Sequence, residues 1–211
     1  MTVLYSRHPS PLGELLLVGE RGAGGPTRLR GVYLPDDRHG RVVDPTWVED
    51  REAFATIAGE LSSYFRGELA TFDLPLDIRG TPFQRRVWAQ LELIPFGTTV
   101  SYAEVARRIG KPGAARAVGA AVGRNPLSIV VPCHRVVGRD GALTGYAGGL
   151  DRKSWLLQHE RGLVDRSAGA APAAVSGEAG ASGATTTQAS PTATPRDAGT
   201  PPAFLGNRCE P

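Results

Sequence analysis

The apolar positions of the first 79 residues fall into short runs and then change to a helical spacing. Residues 12–18 and 29–34 are rich in apolar side chains and flank a stretch of Arg, Gly and Pro, which predicts two strands joined by a turn. Between residues 54 and 65, large apolar residues recur at i, i+3, i+4 and i+7, which predicts an amphipathic helix. Residues 71–76 predict another short strand or the start of a linker. This half of the chain is therefore predicted to be a small sheet-plus-helix domain of the α+β class.

Helix signals dominate the pattern after residue 80. Thr81 followed by Pro82 is a typical helix start with Thr as the capping residue, and an apolar stripe follows until a Pro-Phe-Gly stretch ends the helix near residue 97. Ser101 with Glu104 three residues later forms a capping box, which predicts a short helix over residues 102–109.

A second short helix is predicted over residues 114–122, after a tight break at residues 110–113. Two short helices across a Gly-containing turn are typical of a helix-turn-helix, although helix pairs of this kind also occur in ordinary cores. The second helix has almost no long side chain except Arg116, whereas a helix that reads the major groove normally carries several Arg, Asn or Gln residues. Its small residues suit either close approach to a narrow surface or tight helix packing.

The rest of the chain predicts a buried strand over residues 128–131, a helix over residues 153–160 and a disordered tail. From residue 166 to residue 203 the only large apolar residue is Val175, so this segment cannot bury enough surface to offset the entropy of ordering it. Cys209 is expected to be an exposed thiol in that tail. The predicted parts are an α+β domain (residues 1–79), a helical domain with a helix-turn-helix (80–162) and the tail (163–211).

Composition supports a folded core and argues against a membrane span. The chain has 211 residues, of which 41% are apolar, and no apolar run approaches the roughly 18 residues that a span requires. The first residues lack a basic segment and a long apolar run, so no signal peptide is predicted. Two cysteines cannot form a disulfide framework, and we expect a cytoplasmic protein with reduced thiols.

Charge is distributed unevenly along the chain. Residues 1–79 hold 9 Arg against 12 Asp and Glu, whereas residues 80–160 hold 11 Lys and Arg against 5 Asp and Glu. The basic middle third indicates either a polyanionic partner or a solvated basic face.

Cys133 lies in the run Pro132-Cys133-His134-Arg135, directly after the predicted strand. A lone Cys is usually a small buried apolar residue, but cationic or hydrogen-bonding neighbours lower the pKa of a thiol and favour the nucleophilic thiolate. His134 is either a base that acts through a water or a hydrogen-bonded core residue. A base would need a third group to orient it. Glu160 and Asp151 are both candidates, and spacing does not choose between them.

The run from Ile129 to Val137 resembles the acceptor-cysteine motif of the O6-alkylguanine-DNA alkyltransferases. The resemblance covers nearly all of residues 80–160, and the combination of motifs is highly specific. Residues 1–79 resemble the family's variable, ribonuclease H-like N-terminal domain in length and order of elements, and the tail has no counterpart. The further stretches at family-like spacing are Val100-Ser101-Tyr102, Lys111 to Gly119, Arg124-Asn125-Pro126, Gly145 to Leu150 and Lys153 to Leu157.

The resemblance implies direct-reversal DNA repair by a stoichiometric methyltransferase. Cys133 would accept a methyl or other alkyl group from O6 of guanine, and also from O4 of thymine, and the thioether would not be regenerated. His134 would deprotonate the thiol through a water, and Glu160 would orient His134.

The resemblance also implies that the damaged nucleotide is flipped out of double-stranded DNA carrying O6-alkylguanine. Arg116 would fill the gap, Tyr102 would help push the nucleotide out, and Asn125 would be the hinge between the recognition helix and the active-site segment. The recognition helix would lie in the minor groove, which accounts for its small side chains. The residues expected to contact DNA are Arg116, Tyr102, Ala117, Arg124 and Arg135.

The flipped guanine would be held by backbone groups of Cys133 and Val136, with Tyr146 and the Ala147 N–H on the far wall and Lys153 supporting that wall. Ala147 stands where many relatives carry Ser, but the expected group is a backbone N–H. No cofactor is implied. Some relatives bind zinc through Cys and His of the N-terminal domain, and because residues 1–79 lack Cys we predict no metal. A monomer is expected.

Three other functions fit parts of the pattern. A lesion-binding relative that transfers nothing would lack the acceptor Cys, which is present here. A Cys–His hydrolase would normally draw its His from elsewhere in the sequence. A transcription regulator could use the helix pair to bind one undamaged duplex sequence.

Overall fold

A computed structural model of the protein describes residues 2–22, 25–36 and 42–169. Its N-terminal half is built on a four-stranded sheet with the order β3-β2-β1-β4, in which β1 pairs antiparallel with β2, β2 pairs antiparallel with β3, and β4 pairs parallel with β1. The strands are β1 (Thr2–His8), β2 (Leu15–Arg21), β3 (Arg28–Tyr33) and β4 (Val48–Glu49).

Strand β1 was missed by the pattern of apolar residues, and β2 and β3 lie within a few residues of their predicted positions. In β1 the side chains of Leu4 and Ser6 are buried on alternate positions. Because one of the two buried side chains is polar, the period-two signal of a strand is hidden in the sequence. Of residues 71–76, Leu76 makes an isolated bridge to Leu29, so this segment is a linker rather than a strand.

Helix α1 (Ala55–Arg66) packs its apolar stripe into the core, as its spacing predicts. Ile57, Leu61 and Tyr64 are buried. The helix follows a short 3-10 turn at Glu52–Phe54 and ends at Gly67, which takes the left-handed conformation at φ 79°. Glycine adopts this conformation at no steric cost, which is why it commonly ends helices.

The C-terminal half consists mainly of four helices, three of which start as predicted. Thr81 Oγ1 accepts from the Gln84 N–H at 3.2 Å, and the Gln84 side chain accepts from the Thr81 N–H at 2.8 Å, which completes a capping box. Ser101 Oγ accepts from the Glu104 N–H at 3.1 Å. The helices are α2 (Pro82–Glu92), α3 (Tyr102–Arg108), α4 (Ala115–Val122) and α5 (Leu150–Gly169).

The strand predicted over residues 128–131 is wrong, because these residues form a tight buried turn. Ile129 has a positive φ of 73°, and the Val131 N–H donates to the Leu127 carbonyl at 2.8 Å. A short apolar run indicates burial but does not by itself distinguish a strand from a buried turn. The turn leads into a 3-10 turn at Cys133–Arg135 and then into β6 (Val136–Val137), which pairs parallel with β5 (Val100–Ser101).

Helix α5 is longer than the predicted 153–160, and it continues to Gly169. Residues 163–169 therefore belong to a helix and not to the predicted tail. The remainder of that tail, including Cys209, lies outside the described residues.

The two halves share one apolar core. The sheet of the first half and the helices of the second confirm the α+β class. Strand β3 is joined to the second half where the Val32 N–H donates to the Pro126 carbonyl at 2.9 Å and Val32 bridges Leu127. Buried residues of α1, α2, α3, α4 and the sheet belong to the same cluster. No helix within the described ranges is both long and apolar enough to cross a membrane.

Candidate active site and nucleic-acid interface

Cys133 opens the 3-10 turn that follows Pro132, and 5% of its surface is exposed. Burial raises the pKa of the thiol, while a hydrogen bond from Asn125 and the charge of Lys153 act to lower it. The pKa lowering expected from basic neighbours is thus outweighed by desolvation, which disfavours the thiolate. A thiol in this position needs a base to become a nucleophile.

His134, which follows Cys133 in the chain, forms a buried pair with Glu160. His134 Nε2 lies 2.9 Å from Glu160 Oε1, and both side chains are fully buried. Asp151, the other candidate, lies exposed in the first turn of α5. The structure therefore brings Glu160, and not Asp151, to His134.

Glu160 accepts hydrogen bonds from four residues, and this explains how a carboxylate remains ionised in the core. Burial by itself would raise its pKa, but hydrogen bonds from His134 and Arg135, together with the positive charge of Arg135, lower the pKa to about 2. Tyr64 Oη donates to Oε1 at 2.8 Å, and the Gly97 N–H donates to Oε2 at 2.9 Å.

The ionised Glu160 determines which nitrogen of His134 carries the proton. Burial lowers the pKa of His134, although Glu160 opposes this shift, so the ring is neutral near pH 7. Because Glu160 can only accept, Nε2 is the protonated nitrogen and Nδ1 has a free lone pair. Nδ1 is buried and has no hydrogen-bond partner among the described residues. A neutral imidazole with an open lone pair is suited to act as a general base.

Arg135, which was predicted to contact DNA, is instead buried against Glu160. It is 6% exposed, and its Nε and Nη2 donate to Glu160 at 2.9 Å. Its Nη1 donates to the Ile94 carbonyl at 2.6 Å, and the guanidinium lies over the ring of Phe96. Nε, Nη1 and Nη2 of Arg135 all donate to groups in the core, so the side chain is not available to a phosphate.

Lys153 is a fully buried cation between two backbone carbonyls. Its Nζ donates to the Val136 carbonyl at 2.6 Å and to the Thr144 carbonyl at 2.7 Å. Burial lowers its pKa to about 8, while the nearby Cys133 opposes this shift. Lys153 therefore connects β6 to the loop that precedes α5.

Tyr102 and Tyr146 both lie near the thiol of Cys133. The half-buried Tyr102 donates its hydroxyl hydrogen to the Thr144 carbonyl at 3.0 Å, and its ring lies beneath Lys153 Nζ. Tyr146 is 3% exposed, and its hydroxyl lies near Ser128 without a hydrogen bond of good geometry. Ala147 follows it, half-buried.

Asn125 fixes the turn that carries the cysteine segment. Its Nδ2 donates to the Val131 carbonyl at 2.8 Å, and its Oδ1 accepts from the Leu127 N–H at 3.0 Å. The side chain is 7% exposed. It thus joins the end of α4 to the strained turn around Ile129.

Helix α4 buries one face and exposes small side chains on the other. Val118, Ala121 and Val122 are buried, whereas Arg116 and Ala117 are exposed. Arg124, just beyond the helix, is also exposed. These three exposed residues are among the five that were predicted to contact DNA.

Two groups that bind Glu160, the Tyr64 hydroxyl and the Gly97 N–H, were not predicted from the sequence. Tyr64 belonged to the apolar stripe of α1, and Gly97 to a helix-ending stretch. Neither carries a local signal for a contact with Glu160, which lies 96 and 63 positions further along the chain.

Among the described residues, no group of three or more His, Cys, Asp or Glu is arranged to hold a metal ion. His8 lies 3.3 Å from Ser62 Oγ, and His39 lies outside the described residues.

Two family models match the chain. Residues 3–78 match the ribonuclease-like domain of 6-O-methylguanine DNA methyltransferase, and residues 82–162 match the DNA-binding domain of the same family.

Named relatives match across both halves. The chain is 51% identical over 157 residues to a methylated-DNA–protein-cysteine methyltransferase of Mycolicibacterium paratuberculosis, covering 74% of this chain and 92% of the relative. It is 46% identical to the protein of that name from Methanosarcina acetivorans, covering 74% and 97%. Among solved structures, Mycobacterium tuberculosis OGT in complex with DNA superposes with a TM-score of 0.69 at 46% identity, covering 76% of this chain and 94% of the other.

Proposed function

Because the chain belongs to the family of the methylated-DNA–protein-cysteine methyltransferases, we propose that Cys133 is the acceptor of the alkyl group. Members of this family bind DNA and repair it by moving the alkyl group to a cysteine of the protein. The observation that supports Cys133 most directly concerns the next residue, His134. Its ring is buried and neutral, its Nε2 is hydrogen-bonded to Glu160, and its Nδ1 has no partner among the described residues. The described half of the chain that matches the DNA-binding model contains no second cysteine.

In the proposed mechanism, His134 removes the thiol proton through a bridging water. Nδ1 of His134 accepts the proton from the water while the water takes the proton of Sγ. Glu160 then stabilises the imidazolium through the Nε2 hydrogen bond. The thiolate forms only at the moment of attack, since burial otherwise keeps the thiol protonated.

The transfer step is a displacement at the alkyl carbon. The Sγ–C bond forms as the C–O6 bond breaks, and the electron pair of that bond stays with guanine. Guanine then takes up one proton at N1, which balances the proton that the thiol gave up to His134. The product is a thioether. Because a thioether resists hydrolysis under mild conditions, each protein molecule acts once.

The site must reach an O6 atom that is hidden in the base stack, so we propose that the nucleotide is flipped out. Arg116 is exposed on α4 and can take the place of the extruded base. Tyr102 would exchange its hydrogen bond to the Thr144 carbonyl for one to the base. The exposed small residues of α4, such as Ala117, allow the helix to approach the minor groove of duplex DNA.

The flipped guanine would contact the walls of the site. The carbonyls of Cys133 and Val136 would accept from its amino group; Val136 already accepts from Lys153, and a carbonyl has a second lone pair. Tyr146 and the Ala147 N–H would form the opposite wall, and Lys153 would hold it in place.

Several features remain proposals on the same basis. They are the division into an N-terminal domain (1–79) and a DNA-binding domain (80–162), the transfer from O4 of thymine, the monomeric state, the absence of a metal and a cofactor, and the cytoplasmic location.

The proposed function is tested by the stoichiometry of transfer. Excess duplex DNA carrying labelled O6-methylguanine is incubated with the protein, and the modified peptide is mapped by mass spectrometry. We expect one methyl group per protein, on Cys133, and none in a Cys133→Ala variant that still binds DNA. Repair of many lesions per molecule, or a methyl group on another residue, would overturn the proposal.

A further inference from the structure

Tyr64 of α1 binds the same carboxylate oxygen that holds His134, although it comes from the other half of the chain. Its hydroxyl donates to Glu160 Oε1 at 2.8 Å, and that oxygen lies 2.9 Å from His134 Nε2. We propose that Tyr64 is a positioning residue for alkyl transfer, which holds Glu160 in the orientation that His134 requires. The inference rests on the proposed role of His134 as the base.

The hydroxyl of Tyr64 is fixed by its surroundings. The side chain is fully buried, and its ring centroid lies 5.4 Å from that of Phe72 and 6.1 Å from that of Phe96. The backbone carbonyl of Tyr64 also accepts from His159 Nε2 at 3.0 Å. One residue of α1 therefore contacts two consecutive residues of α5, and the hydroxyl cannot move without disturbing this packing.

Tyr64 also influences the negative charge of Glu160 Oε1, the atom that His134 Nε2 contacts. Burial, and next the charge of Glu160, raise the pKa of Tyr64 well above its ordinary value, so the hydroxyl keeps its proton and always donates. This donation withdraws electron density from Oε1, which makes Oε1 a weaker partner for a protonated His134. Loss of the hydroxyl should therefore make the imidazolium more favourable and raise the pKa of His134.

Other charged and titratable groups face the pair, and all of them are unchanged by a Tyr64→Phe substitution. Arg135 binds the same carboxylate, the charge of Lys153 acts on His134, Tyr146 acts on Tyr64, and His159 packs against the Tyr64 ring. A change in the titration of His134 in that variant can therefore be assigned to the hydroxyl.

The test compares Tyr64→Phe with Tyr5→Phe, which removes a hydroxyl that donates to Glu49 on the surface of the same half. Single-turnover methyl transfer is measured across pH, and the titration of His134 is followed by NMR, with its signal assigned by its loss in His134→Gln. For Tyr64→Phe we expect the plateau rate to fall by about tenfold, equivalent to about 1.4 kcal/mol. We also expect the acid limb of the rate profile and the His134 titration to move to higher pH. Tyr5→Phe should match the native protein.

The proposal is overturned if neither the acid limb of the rate profile nor the titration of His134 moves in Tyr64→Phe. This holds even if the rate falls, because a structural defect alone lowers the rate without changing the pKa of His134. The NMR titration needs no alkyl transfer. Failure of the native protein to become methylated would therefore contradict the proposed function and leave the test of Tyr64 intact.

Discussion

The guanidinium of Arg135 and the carboxylate of Glu160 form a two-point ion pair in the core, with Arg135 Nε 2.9 Å from Oε2 and Arg135 Nη2 2.9 Å from Oε1. The arginine that follows the Cys-His dipeptide is thus bound to Glu160 in the core. Arg135 also connects this pair to the Ile94 carbonyl, just beyond the end of α2.

Arg135→Met should lower the free energy of unfolding by about 3–5 kcal/mol, because it leaves the buried Glu160 with one positive partner fewer. The matched control is Arg108→Met, which breaks the more exposed pair with Glu104 and should cost less than about 1 kcal/mol. Urea denaturation measures both. If Arg135 contacted DNA instead, its variant would keep its stability and lose DNA affinity.

The pKa of Glu160 predicts a dependence of stability on pH. The carboxyl has a pKa of about 2 in the folded protein against an ordinary value of 4.5, so the unfolded chain binds its proton more tightly. This contribution, about 3 kcal/mol, is fully present above pH 4.5 and is lost as the pH falls toward 2.

The measurement for Glu160 is the unfolding free energy of the native protein and of Glu160→Gln at several pH values. The difference between the two should shrink as the pH falls through that window. Glu14→Gln changes an exposed carboxylate that is paired with Arg7. The unfolding free energy of this control should depend on pH in the same way as that of the native protein. A constant difference between native protein and Glu160→Gln would contradict the depressed pKa.

Arg116→Ala should slow repair of O6-methylguanine in duplex DNA more than transfer from free O6-benzylguanine, because a free base needs no extrusion. We expect a loss of at least about tenfold with duplex DNA, since opening a base pair costs a few kcal/mol. Rapid-quench kinetics measure both reactions. The control is Arg107→Ala on α3, whose side chain is exposed and paired with Glu104. Equal losses with the two substrates would argue against the role of Arg116.

Two truncations should behave differently, because α5 packs beyond the predicted start of the tail. Leu163 lies against Gly67 and Val164 against Gly97, at distances that leave no room for a Cβ on either glycine. Removal of residues 170–211 should leave the transfer rate and the melting temperature unchanged. Removal of residues 163–211 should lower the melting temperature by several degrees, roughly 4 °C for each kcal/mol lost. Calorimetry decides the outcome, and a lower melting temperature in the shorter deletion would show that the predicted tail packs.

Local sequence signals predicted the helices well because each signal acts within a few residues. The capping box at Thr81, the cap at Ser101 and the apolar stripe of α1 satisfy backbone groups or bury a face without reference to distant parts of the chain. The same signals failed at residues 128–131, where an apolar run folds into a turn around Ile129. There the conformation is set by Asn125, which binds both ends of the turn.

The chemistry of the site divides in the same way. The sequence by itself determined that a thiol, an imidazole and a set of family motifs stand in the second half of the chain, since residue identity and spacing are enough for that. Tertiary structure alone decided that Glu160 rather than Asp151 meets His134, that Arg135 turns inward, and that Tyr64 joins them from another helix. The reason is that hydrogen bonds and burial act between groups far apart along the chain, and no local pattern records which of them the packing brings within 3 Å.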